Sequence, residues 1–499
     1  MNKPLHIGFN TFDSRVRSED AEFTLLLVPG VDWVFCHFDP DFDAAEQAVR
    51  VLRDRGYPFV ANFEFQNFRH EVKSADGYDW ANAPDGTHRM RFTPELIAAL
   101  ASGGNLIGVS YDEFEHVIIN RNISLFLDSK FKIDMPAFRQ LETRDAVRQG
   151  EALAADVKEY ADGVKAMGAP VFSGEHVFPV LYHLFARSGV IPNFKSQKEC
   201  FSNLQFAVAA GAALEYGTEL WNCVDMWHKL TYPGHSAKEL YHNLVFAYLS
   251  GVDRVYVEAS SALSDEADGV RSLNENGKAF VRFASEYGGR ERAYDARDYL
   301  PEIGIVRYDD TYWGQNLIWA RGLFGNRRIK PDSRSKEWLQ IVRTVTHRET
   351  APQTFTWNRI DPISLLPHRS FVGMNGLAVF DDRVRRHTLE SLKLCFLCGV
   401  RVSPETLRDV WTLVREEGLT VVCPPRFAPR GLGEKPKGAF AEYAYGEGTV
   451  IVAERFDTKA LYKRLRPFLG NPGEIRLPFK TGDVRLKVGD DGETFEILS

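Results

Sequence analysis

Short β-branched or aromatic runs alternate with amphipathic helical stretches eight times in residues 1–288. The runs are Leu5–Asn10, Val31–Phe38, Tyr57–Glu64, Asn105–Glu113, Ala169–Glu175, Val190–Gln197, Glu219–Trp227 and Val252–Ser260. Between them, segments such as DAAEQAVRVLRDRG, TPELIAALASG, FSNLQFAVAAGAALEYG and SAKELYHNLVFAYLSG place apolar residues at helical spacing, and NGKAFVRFASEYG follows the last run. Several of these helices close on a glycine and pass at once into the next strand, the short αβ connection. Strands alternating with helices predict a parallel sheet. Eight repeats over about 290 residues predict a closed (β/α)8 TIM barrel rather than an open sheet.

A second pattern begins near Pro301 with the strand IGIVRYDD, then a helix in SKEWLQIVRTVTH and strands in NGLAVFDD, LKLCFLCG, LTVVCPP and GTVIVAERF. Ser403 as N-cap with Pro404 at the first helical position starts a helix that stops at Gly418. This reads as a small α/β domain. The last stretch, LPFKTGDVRLKVGDDGETFEILS, alternates like a short antiparallel pair turned at Asp490-Asp491-Gly492. The expected division is a barrel over 1–300, an α/β domain over 301–456 and a β segment over 457–499.

With 44% hydrophobic and 26% charged residues the composition is that of a globular chain, and a net charge of -7 offers no basic field for nucleic acid. No apolar run is long enough to predict a membrane span. The opening MNKPLHIGF enters a strand at Leu5, leaving no room for a secretory leader, so a cytoplasmic protein is expected. The six cysteines lack metal-ligand spacing. Cys395 and Cys398 spell C-x-x-C inside a strand, so reduced, buried thiols are expected. No metal-binding motif, G-x-G-x-x-G or phosphate loop is present, and no cofactor is expected.

Acids gather where the strands end, the face on which a barrel builds its active site. Asp112, Glu113 and Glu115 follow strand four, Glu175 and His176 strand five, Lys195 and Gln197 strand six, Asp225 strand seven and Glu258 strand eight. Asp13, Asn62 and Glu64 extend the ring, as does the segment His37-Phe38-Asp39, and Trp221 and Trp227 flank Asp225. Strand alternation would put Glu113 and Glu115 on one side. Two carboxyl groups astride a glycosidic bond suffice for hydrolysis, so Glu113 is expected as acid/base with Glu258 or Asp225 as its partner. The other polar residues, with the two tryptophans, are expected to bind the hydroxyls and rings of a carbohydrate.

The segment Val402–Pro425, with YGEGTVIVAER, resembles the second domain of barrel glycoside hydrolases such as the family 42 β-galactosidases. That module is flavodoxin-like or glutamine-amidotransferase-like, lacks its catalytic residues and mediates oligomerisation. The resemblance implies a glycosidase and a homo-oligomer formed through this domain. Asp112-Glu113 replaces the Asn-Glu pair of family 42 after strand four, and Asp225 stands near the strand-seven Glu position. GYDWANAPDGTHRMRFTPE is similar to substrate loops of other barrel hydrolases. Three alternatives stay open. Asp112 and Glu113 could act together on an N-acetylated sugar, Lys195 could serve a lyase, isomerase or aldolase, or the rim could bind carbohydrate without catalysis.

Overall fold

A computed structural model describes residues 3–498 apart from 18–19, 40–41, 64–67, 70–78, 83–85, 87, 121–131, 134–137, 197–199, 227–234, 314–321, 350–368 and 433–435. Eight parallel strands close into a barrel in chain order. They are β1 His6–Phe12, β2 Trp33–His37, β3 Phe59–Asn62, β4 Leu106–Tyr111, β5 Phe172–His176, β6 Ile191–Ser196, β7 Trp221–Asp225 and β8 Arg254–Glu258. Each of the eight expected strands is present, most of them trimmed by a few residues, while β1 and β5 run one or two residues past their expected ends.

Period two along these strands sorts the side chains into barrel interior and helix-facing shell. Trp33, Phe35, Val60, Ile191, Trp221, Cys223 and Tyr256 form the interior cluster. Phe35 stacks on Tyr256 with ring centroids 4.2 Å apart. Room for Trp33 comes from Gly8, its register partner on β1, where a Cβ would lie 2.7 Å from the indole. The lower barrel is therefore a packed core, and the upper rim is left for polar side chains.

The outer helices start where the sequence offers caps. Thr93, Asp145, Ser236 and Asn274 each accept a backbone N–H from the first turn of the helix that follows. The helix Ser202–Tyr216 is buried on nearly every face. One side packs on the barrel and the other on the strand Leu377–Asp381, at Gly211, where a Cβ would meet the Val379 carbonyl oxygen at 1.7 Å. Its nearly continuous apolar sequence reflects this double contact.

The second region builds a six-stranded sheet in the order Leu377–Asp381, Ile303–Arg307, Leu394–Cys398, Thr420–Cys423, Gly448–Val452, Ala441–Tyr445. Only the last strand is antiparallel. Ser403 caps the helix Pro404–Glu417 through the Thr406 amide, and Gly418 ends it with φ 77. The C-terminal segment is richer than a strand pair. Glu474–Phe479, Gly482–Val488 and Phe495–Leu498 form an antiparallel meander, and Met374–Asn375 adds a parallel edge. All six cysteines are buried and none is in a disulfide. No helix among the described residues is long and apolar enough to cross a membrane.

Candidate active site

Within the barrel each inward row turns from apolar below to polar above. Trp33 and Phe35 lead to His37 on β2, Ile191 and Asn193 to Lys195 on β6, Trp221 and Cys223 to Asp225 on β7, and Tyr256 to Glu258 on β8. The centre of the upper layer is the Lys195 ammonium, which is 1% exposed. Its Nζ lies 2.6 Å from Glu258 Oε2, 3.2 Å from Glu113 Oε1, 3.2 Å from Glu175 Oε2 and 3.7 Å from Asp225 Oδ2. Four strand ends, far apart in sequence, thus converge on one cation.

Neighbouring groups fix this ring. The Tyr256 hydroxyl donates to Glu175 Oε1 and accepts from Asn193 Nδ2 at 3.0 Å. The Cys223 thiol donates to Glu258 Oε2 at 3.1 Å, and Asp225 is the direct register partner of Glu258. Asn62 Nδ2 donates to Asp112 Oδ1 at 3.2 Å. Glu113 reaches the ring through an unusual backbone. Strand β4 ends at Tyr111, and Glu113 turns the chain into the helix Phe114–Asn120 with φ 39, a conformation that costs a side-chain-bearing residue about 1–3 kcal/mol. Ala259, immediately after Glu258, is also left-handed, with φ 58.

The depth of each carboxylate differs. Glu175 is fully buried at the floor, whereas the Glu258 and Glu113 side chains are 13% and 23% exposed. Burial disfavours the Lys195 ammonium, but the surrounding carboxylates outweigh it and hold the group well above the usual lysine range. Burial, reinforced by neighbouring acids and only partly offset by Lys195, raises Glu175 well above the ordinary glutamate range and Glu258 to about 8. Four acids around one ammonium cannot all ionise at low cost, so the ring retains a proton near neutrality. Burial, then the nearby Lys195 charge, pushes His37 down to about 3, leaving a neutral imidazole.

Several expected residues lie elsewhere. Glu115 does not pair with Glu113, because the strand has already ended and Glu115 belongs to the first turn of a helix. Its Oε1 accepts the Val177 and Phe178 amides at 2.5 and 2.7 Å, tying the turn after β4 to the loop after β5. His176 is buried, stacks on Tyr182 at 3.9 Å and lies 3.2 Å from the Val180 carbonyl through Nδ1. Asp13 accepts the Ser14 and Asp39 amides, bracing the loops after β1 and β2. Trp221 does not flank Asp225. It starts β7 at the bottom of the barrel, 6.0 Å from Trp33, and its indole N–H donates to Glu219. Glu64, Gln197 and Trp227 lie outside the described residues.

Sequence reading leaves Asn193 and Tyr256 unassigned and takes His37 only as part of a polar rim. The signal for all three is the inward row itself, because each stands two residues from another interior side chain. Among the described residues no group of three or more His, Cys, Asp or Glu is arranged to hold a metal ion. Positive charge in the ring comes from Lys195.

No protein-family model and no curated protein matches the chain. Among solved structures it is similar to the family 42 glycoside hydrolase exo-carrageenase of Bacteroides ovatus, with 10% identity, a TM-score of 0.39, and 94% of this chain and 69% of that one covered. It is also similar to the catalytic module of a family 98 glycoside hydrolase from Streptococcus pneumoniae TIGR4, with 10% identity, a TM-score of 0.41 and coverage of 97% and 77%. A trehalulose synthase, MutB, gives 12% identity and a TM-score of 0.27 over 50% of this chain. This chain spans 64% of the length of that synthase.

Proposed function

We propose that this chain is a glycoside hydrolase whose reaction centre is the carboxylate ring around Lys195, with Glu258 and Glu113 as the working pair. The observation that carries the proposal is the convergence of Glu113, Glu175, Asp225 and Glu258 on one buried ammonium at the C-terminal mouth of the barrel. Glycosidic cleavage needs one carboxyl group that holds a proton and one that is ionised. Glu258, raised by burial and open to the mouth, suits the proton donor. The acid role expected for Glu113 therefore passes to Glu258, and Glu113 serves as the ionised partner. Asp225 supports Glu258 from the adjacent strand, and Glu175 anchors Lys195 from below.

Glu113 Oε1 and Glu258 Oε2 contact the same Nζ at 3.2 and 2.6 Å, so they lie within about 6 Å of each other. That spacing favours direct attack by a carboxylate, with net retention, over the roughly 6.5–9.5 Å that admits a water between the pair. A Schiff-base route through Lys195 is disfavoured, since it needs a neutral amine and the surrounding acids hold this one as a cation. A panel of aryl glycosides tests the proposal. Glu113→Gln and Glu258→Gln are each expected to lose about two or more orders of magnitude in turnover on whichever glycoside the wild type cleaves, with unchanged circular dichroism. Wild-type turnover in both variants would end it.

A further inference from the structure

His37 and Phe12 lie beside the ring, and neither has a part in the cleavage chemistry. Phe12 ends β1 and His37 ends β2, and the two are register partners with ring centroids 5.3 Å apart. His37 is 7% exposed and packs from below on Phe35, yet neither ring nitrogen has a hydrogen-bond partner among the described residues. Leaving a buried imidazole unsatisfied costs about 1–3 kcal/mol, and folds retain such groups mainly where something else completes them. The charges that act on it are those of Lys195 and Glu113, so the ring stands within electrostatic reach of the reaction centre. Among the described residues the large exposed hydrophobic side chains are Phe12, at 38%, Val270 and Ile497, and Phe12 alone of these is aromatic.

From this geometry we infer that Phe12 and His37 form one wall of a sugar subsite, with His37 reading a hydroxyl of a neutral glycone and Phe12 covering its C–H face. The inference rests on the glycosidase proposal for the identity of the ligand, though binding alone can test it. A neutral imidazole offers one donor and one acceptor, and a hydroxyl is both, so either nitrogen can engage it. A carboxylated or sulfated sugar would bring another negative charge to a ring in which four carboxylates already share one ammonium. An exposed phenyl face beside a hydrogen-bonding group suits a pyranose, whose faces are apolar and whose edges are hydroxylated.

The test uses the full chain with glucose, galactose, mannose and xylose, their single-deoxy forms and the matching uronic acids, read by ligand-induced thermal shift. Aryl glycosides of the same sugars are read by turnover. His37→Ala and Phe12→Ala are each expected to weaken the sugar that stabilises the wild type by about tenfold or more. One deoxy form should bind wild type and His37→Ala equally, which identifies the hydroxyl that His37 reads. If His37→Ala does not fold, Phe12→Ala and the 15N shifts of His37 in the wild type on titration with that sugar carry the test.

Affinities indifferent to both substitutions, or a uronic acid that binds more tightly than its neutral parent, would overturn the subsite while leaving the hydrolase standing if turnover persists. Binding that depends on His37 without turnover of any glycoside would keep the subsite and end the hydrolase. A panel neither bound nor cleaved would overturn both.

Discussion

Glu258 Oε2 stands 2.6 Å from Lys195 Nζ, the shortest of the four carboxylate contacts that this buried ammonium makes. Removing the cation leaves the acids facing one another. Lys195→Met is expected to cost about 3–5 kcal/mol near pH 8, the penalty for uncompensated buried charge. The folded carboxylates then hold protons that the unfolded chain, near the ordinary glutamate value of 4.5, has released. Stability therefore rises as pH falls from 8 toward 4.5, and much of the loss is recovered. Urea unfolding of wild type and variant at pH 8 and pH 5 measures this. An equal loss at both values would mean that packing of the side chain, rather than its charge, is what the ring needs.

If Glu258 is the proton donor proposed above, its raised pKa is expected to set the alkaline limit of activity. As pH rises through about 8, Glu258 loses the proton it must deliver, and kcat/KM should fall tenfold per pH unit beyond that point. Glu258→Gln removes the limb together with most of the activity. Glycosides with good leaving groups, which need little protonation, should retain a larger fraction. A pH profile whose alkaline limb survives in Glu258→Gln would assign it to another group.

Glu115 is a structural carboxylate, separate from those proposed to act in the ring. Glu115→Gln keeps an oxygen for the Val177 and Phe178 amides and is expected to retain activity within a few-fold. Glu115→Ala leaves both buried N–H groups unsatisfied and should lose about 1–3 kcal/mol for each. Thermal melts and turnover of the two variants check this together. A collapse of turnover in a stable Glu115→Gln protein would return Glu115 to the site.

The barrel was legible because strands covered on both faces read as apolar runs, and their charged ends marked the rim. Glu175, Lys195, Asp225 and Glu258 fall on inward positions that period two alone identifies. Glu113 was legible as an acid, but its geometry was not. Nothing in Tyr111-Asp112-Glu113-Phe114 signals that the strand stops at Tyr111 or that Glu113 takes a left-handed backbone, so alternation wrongly paired it with Glu115. Trp221 misled through nearness in sequence. It stands four positions before Asp225, a rise of about 13 Å from barrel floor to mouth. The hairpin Ser264–Ala267 and Val270–Leu273 was hidden by its polar sequence. Its Asp268-Gly269 turn, with both φ values positive, was the available sign.

The last prediction concerns the floor beneath the site. Gly8 faces Trp33 across β1 and β2, and a Cβ there would lie 2.7 Å from the indole ring and 2.8 Å from the Trp33 carbonyl oxygen. Neither can yield easily. The carbonyl belongs to the β2 backbone, and the indole is wedged against Phe35, Trp221 and Tyr256. Gly8→Ala should therefore destabilise the barrel by about 1–3 kcal/mol through overpacking. Because the Tyr256 hydroxyl donates a hydrogen bond to Glu175, a tilt of the indole also reaches the ring above. Turnover is expected to fall several-fold at a temperature where the variant is still fully folded, with KM little changed. Melting curves and kinetics on the same preparation test both parts. A variant with wild-type stability would show that β1 and β2 can move apart at Gly8, and that the interior cluster does not hold the rim in place.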